Sequence, residues 1–146
     1  MVEPEARSSR LAARAHWIVG ALGVLAFLAS GLDMHLRHDH LAGFDRATRL
    51  SFRSIHIYLL FASLLNVAVA PRVAPAARRW AAGAAAVGSL LLLAGPPLLA
   101  AAFWREPLEP GLDRNLTRLG VMASAAGLAL LTAAQLGRRR SAPEAR

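Results

Sequence analysis

WAAGAAAVGSLLLLAGPPLLAAAFW, residues 80–104, runs for 25 positions without an acidic or basic side chain, between Arg79 and Arg105. At 1.5 Å per residue a helix of that length reaches about 37 Å, more than the roughly 30 Å of a bilayer's hydrocarbon core. No period-two alternation marks a strand, and in hydrocarbon each backbone amide must be satisfied within its own segment. The stretch therefore predicts a membrane-crossing helix. Ala15–Leu32, Ser54–Pro71 and Leu119–Gly137 have the same uncharged character. The expected fold is all-α, an integral membrane four-helix bundle forming one domain over residues 1–146. The connections, Asp33–Arg53, Arg72–Arg79 and Arg105–Arg118, are too short to hold a soluble domain.

Composition agrees. Hydrophobic residues make up 55% of the 146, and only 18% are charged, against about 25% in soluble domains. That excludes a disordered chain, a collagen and an ordinary soluble enzyme. The absence of cysteine excludes disulfides, zinc fingers and cysteine-ligated clusters. A pI near 11.7 raises nucleic acid as a partner, but such binders gather Arg on one face of a soluble fold. Here the arginines flank apolar stretches, so the lipid bilayer is the expected partner and no nucleic acid is. Ala29 and Gly31 resemble a signal cleavage site, yet the apolar run before them exceeds the roughly 7–15 residues of a signal core. The first helix is expected to be retained.

Arginine asymmetry gives an orientation. Ten arginines lie in the N-terminal tail, the second connection and the C-terminal tail (Arg7, Arg10, Arg14, Arg72, Arg78, Arg79, Arg138, Arg139, Arg140, Arg146), and seven in the other two connections. Both termini are expected in the cytoplasm of a bacterial inner-membrane protein. Trp17, Trp80 and Trp104 stand at segment ends, where an amphipathic ring suits the headgroups. Gly95, Pro96 and Pro97 are expected to kink or interrupt the third helix. Gly83, Gly88, Gly120, Ser124 and Gly127 provide small faces for close helix contact, and Ser63, Asn66, Ser89, Ser124, Thr132 and Gln135 are expected to hydrogen-bond between helices.

No formally charged residue lies inside the four stretches, which disfavours a proton-coupled transporter. His16 opens the first and His56 the second. The pair, in Arg14-Ala15-His16-Trp17 and Arg53-Ser54-Ile55-His56, resembles the start of the first two helices in b-type cytochromes of the cytochrome b561 and hydrogenase-subunit kind. That resemblance implies haem b held by histidines at such positions. The sequence departs from it, because no histidine follows His56. His16 and His56 also lie at opposite membrane faces, some 14 residues or about 20 Å apart in depth. Met122 is the remaining outer-leaflet candidate for a His–Met pair.

The first outer connection reads Asp33-Met34-His35-Leu36-Arg37-His38-Asp39-His40. Met34, His35, His38, Asp39 and His40 form a candidate ligand set for copper or zinc; the alternative is a solvated polar loop. Asp45 is expected to cap the second helix. Arg49, Arg53, His56 and Ser63 fall on one helical face, to bind an anionic headgroup or pair with Asp33 and Glu106. No Ser-His-Asp set, phosphate loop or paired buried carboxylates can be assembled, and Asn115-Leu116-Thr117 is read as a chance sequon. Leu41–Asn66, with Arg53-Ser54-Ile55-His56-Ile57-Tyr58 and later Phe103-Trp104-Arg105-Glu106-Pro107, resembles an uncharacterised group of four-helix bacterial inner-membrane proteins, which implies no activity. The expected function is non-enzymatic: helix packing, with itself or as a small subunit of a membrane complex. The alternative is electron transfer by haem or by an outer-face metal.

Overall fold

Asp45 begins the second of four long helices as expected. Its carboxylate accepts a hydrogen bond from the Thr48 amide at 2.7 Å. That amide first, and then the Thr48 hydroxyl, hold its carboxyl below the ordinary range. The computed structural model describes residues 4–72, 79–109 and 113–139. Its helices are α1 (Pro4–Leu36), α2 (Arg46–Val69), α3 (Arg79–Arg105) and α4 (Asn115–Arg139), with short 3-10 turns after the first three. No strand occurs among the described residues. Of the arginines used for orientation, Arg78, Arg140 and Arg146 lie outside them. Four helical stretches of 23 to 30 residues, two of them running on into the following 3-10 turn, are long and apolar enough to cross a membrane.

α3 is the hub. It packs along α4 and also touches α2 and α1, while α1 packs on α2 and α4 barely meets α2. The α3–α4 seam is built from missing side chains. A Cβ on Gly127 would stand 2.7 Å from both the Gly88 carbonyl oxygen and the Leu92 nitrogen, and one on Gly120 would stand 2.7 Å from Leu99 Cγ. Gly95 faces Ser124 in the same way. Of the five small residues expected to bring helices together, Gly83 alone has open space around it. Between α1 and α2 the close approach falls at Gly20, against Val67 and the Ser63 carbonyl, and at Gly23, against Ser63. Lipid tails are as apolar as leucine, so in a bilayer such packing and interhelical hydrogen bonds must supply the cohesion.

The interior is layered. At the end carrying the α1–α2 and α3–α4 connections, here the distal end, Leu41, Phe52, Ile55, Ala102 and Phe103 are buried together. Leu59, Ala62 and Leu99 fill the middle, and Val69, Leu92 and Leu131 the other end.

Pro96 and Pro97 do not interrupt α3, which is continuous from Arg79 to Arg105. A proline at position 96 has no N–H for the carbonyl of residue 92, four positions earlier. Asn66 of α2 supplies the missing donor: its Nδ2 reaches the Leu92 oxygen at 2.8 Å and the Ala62 oxygen at 2.9 Å. The break in the helical ladder is thus repaired from a neighbouring helix.

Candidate functional site

With both Nδ2 hydrogens of Asn66 committed to carbonyls, its Oδ1 is an acceptor. His16 Nδ1 stands 2.7 Å from it, and His16 Nε2 stands 2.7 Å from Ser89 Oγ. The imidazole therefore donates from Nδ1, and its Nε2 shares a hydrogen bond with the Ser89 hydroxyl, so both ring nitrogens are engaged. His16, Asn66 and the Leu92 carbonyl tie α1, α2 and α3 at one level. His16 is 0% exposed, so it lies within the helix cluster and not at its edge. Of the expected interhelical hydrogen-bonders, Asn66 and Ser89 act in this network. The hydroxyls of Ser63, Ser124 and Thr132 instead donate to carbonyls four residues back in their own helices.

His56 is set differently. Ser30 donates its hydroxyl hydrogen to the Phe27 carbonyl at 2.8 Å, so its oxygen accepts from His56 Nδ1, also at 2.8 Å. The ring stacks on Phe27 with centroids 4.0 Å apart. Nε2 is left with its lone pair and no hydrogen-bond partner among the described residues, the tautomer a metal-ligating histidine uses. Yet the residues present do not fit a haem with two protein ligands. Ser30 is level with His56 and lies fourteen residues beyond His16 on α1, a separation of about 21 Å. His16 has both nitrogens engaged, and Met122 stands 69% exposed on α4 while His56 turns toward α1.

The distal connection resolves into parts. α1 continues through Leu36, so Met34 and His35 belong to its last turn. Met34 packs on the Leu41–Phe52–Phe103 cluster. Asp33 holds Arg37 and His38, each at 3.5 Å, and His38 rests between Phe44 and Phe52 at 5.3 Å from each ring. Asp39, His40 and Leu41 have φ of 41°, 55° and 67°, left-handed values that cost non-glycine residues roughly 1–2 kcal/mol each. Burial of Leu41 to 2% exposure anchors the turn. His40 thereby returns over α1, with its Nδ1 3.3 Å from His35 Nδ1. Among the described residues no three His, Cys, Asp or Glu side chains converge on one point.

Glu106 does not pair with the Arg49–Arg53 stripe. It is buried and accepts from the Leu116 and Thr117 amides and the Thr117 hydroxyl. A carboxylate there neutralises the positive end of α4, and it occupies the hydroxyl of the Asn115-Leu116-Thr117 sequon.

A groove of about 620 Å³ lies between α2 and α4 with Leu99 of α3 at its floor. Tyr58, Phe61 and Leu65 form one wall; Ala125, Ala129 and Ala133 lie along the other. The spacing of four places these alanines on a single face of α4, adjacent to the glycine face already filled by α3. Sequence reading missed this second small-residue stripe, although its period was visible, because alanines are everywhere in the chain. It also missed Ser30, a lone hydroxyl one helical turn beyond Phe27.

Comparison of the chain with protein-family models, with curated proteins and with solved structures gave no match. Neither resemblance drawn from the sequence gains support there, and function has to be argued from the chain's own geometry.

Proposed function

We propose that this chain is a multi-pass protein of a bacterial inner membrane, with both termini cytoplasmic and no catalytic site of its own, that serves as a small packing subunit. Its α2–α4 groove receives a transmembrane helix from a larger membrane complex. The observation that carries this reading is the Ala125–Ala129–Ala133 stripe beside an open apolar groove. Small residues four apart let a second helix backbone approach closely, and that contact is the main source of helix affinity in lipid. On α4 the neighbouring small face, Gly120, Ser124 and Gly127, is already used in this way by α3. The groove's wall is almost wholly apolar: the hydroxyls of Ser124 and Thr132 already donate to Gly120 and Leu128, and the Tyr58 phenol is the remaining side-chain polar group. Such a surface offers packing and little chemistry.

Site-specific photo-crosslinking in native membranes tests the reading. A photoreactive residue at Ala129 or Ala133 is expected to capture one membrane protein, and the same residue at Leu90, exposed on α3, is expected to leave it uncaptured. Ala129→Trp, which fills the stripe, should abolish the adduct. An adduct of twice the chain's mass would make the partner a second copy. Adducts with lipid alone, at Ala129 and Leu90 alike, would overturn the proposal.

A further inference from the structure

The distal turn carries a feature that packing does not use. His35 closes α1 and His40 lies five residues on, past the point where a helix would carry its side chain away. The left-handed run Asp39–His40–Leu41 brings it back. The two Nδ1 atoms stand 3.3 Å apart, with ring centroids at 4.1 Å and planes inclined by 66°. Both rings are exposed, whereas Asp33 is engaged with Arg37 and His38, and His38 lies against two phenylalanines.

Two nitrogens each about 2.0–2.1 Å from one tetrahedral ion stand about 3.3–3.4 Å from each other. The observed separation of the nitrogens is that of a bite on a single cation. The two rings now share an Nδ1–H···Nδ1 hydrogen bond with centroids 4.1 Å apart, and an ion replaces that proton as the exposed rings turn both lone pairs onto it. Imidazole nitrogen is a borderline donor, suited to Zn2+, Cu2+ or Ni2+ and poorly suited to Mg2+ or Ca2+. We propose that His35 and His40 form a two-histidine site for a divalent transition-metal ion, bound through both Nδ1 atoms with solvent completing its coordination. Of the five ligands the sequence offered, this site keeps His35 and His40. It leaves out Met34, which packs against the distal core, and His38, which is held by Asp33; Asp39 makes no third ligand. The site is independent of the α2–α4 groove, so each proposal can fail without the other.

Binding ties the end of α1 to the turn that leads into α2. The test uses the full chain in detergent micelles, purified without a histidine tag, titrated with ZnCl2 by calorimetry. Wild type is expected to bind one Zn2+ per chain. His35→Ala and His40→Ala should each weaken binding by about tenfold or more, and His38→Ala should leave it within about twofold. Electron paramagnetic resonance with Cu2+ supplies a second readout, since two imidazole nitrogens give a hyperfine pattern that either single variant should lose. Circular dichroism checks that the variants keep their helices. Absence of saturable Zn2+ binding, wild-type affinity in either the His35 or the His40 variant, or a loss carried by His38→Ala would each overturn the assignment.

Discussion

Gly127→Ala probes the seam on which α4 depends. The added methyl would lie 2.7 Å from the Gly88 oxygen and from the Leu92 nitrogen. Both are helix backbone, which cannot rotate aside. Ordinary contact begins near 3.4 Å, so the helices must part by about 0.7 Å (3.4 less 2.7). Overpacking of this kind costs about 1–3 kcal/mol. The substitution also gains helix propensity, about 1 kcal/mol, and Gly83→Ala on α3 gains the same with nothing within 4 Å of its new methyl. The difference between the two variants isolates the clash and should amount to roughly 5- to 150-fold in the folding equilibrium. Trp80 reports it: its ring lies against Gly137 at the end of the same seam. In a Trp17→Phe, Trp104→Phe background, its fluorescence during titration of mixed micelles with SDS follows α4 detaching. Equal midpoints for Gly127→Ala and Gly83→Ala would refute the seam as described.

Two further outcomes are expected. Asn66→Leu should destabilise by about 1–3 kcal/mol because it orphans the His16 N–H and the Leu92 carbonyl; in a Pro96→Ala background, where residue 96 regains its N–H, the cost should fall by about 1 kcal/mol, and strict additivity in this double-mutant cycle would sink the repair. A reporter active only in the periplasm should be silent when fused after Arg140 and active when inserted at Gly43; the reverse pattern would invert the proposed orientation and place the His35–His40 pair in the cytoplasm.

The four helices were legible because charge is absent over whole membrane-length windows, and Asp45 was legible because a cap is a local signal. Most of the glycine seam was legible too, since small residues had few other reasons to recur there. What could not be read was long-range partnership. Asn66 looks like generic polar glue until α2 sets it beside Leu92, and Pro96 looks like a break until Asn66 mends it. Glu106 carries a charge and so suggests an ion pair; only the fold of the α3–α4 connection turns it toward backbone amides. Likewise, the histidine-rich loop offered five ligands within seven residues. The helical continuation through Leu36 and the left-handed turn after it, neither encoded in spacing, separate two of those from the rest.

The His16 network also has a consequence in time. Its two partners are 50 and 73 residues further along the chain. At the roughly 5–20 residues per second of synthesis, the wait for Ser89 is about 4–15 s. Over that interval α1 presents an imidazole with an incomplete set of partners, first lacking both and then only Ser89. A newborn chain halted after α2 would therefore carry a half-finished polar contact. That is a chemical difference between truncated and completed molecules.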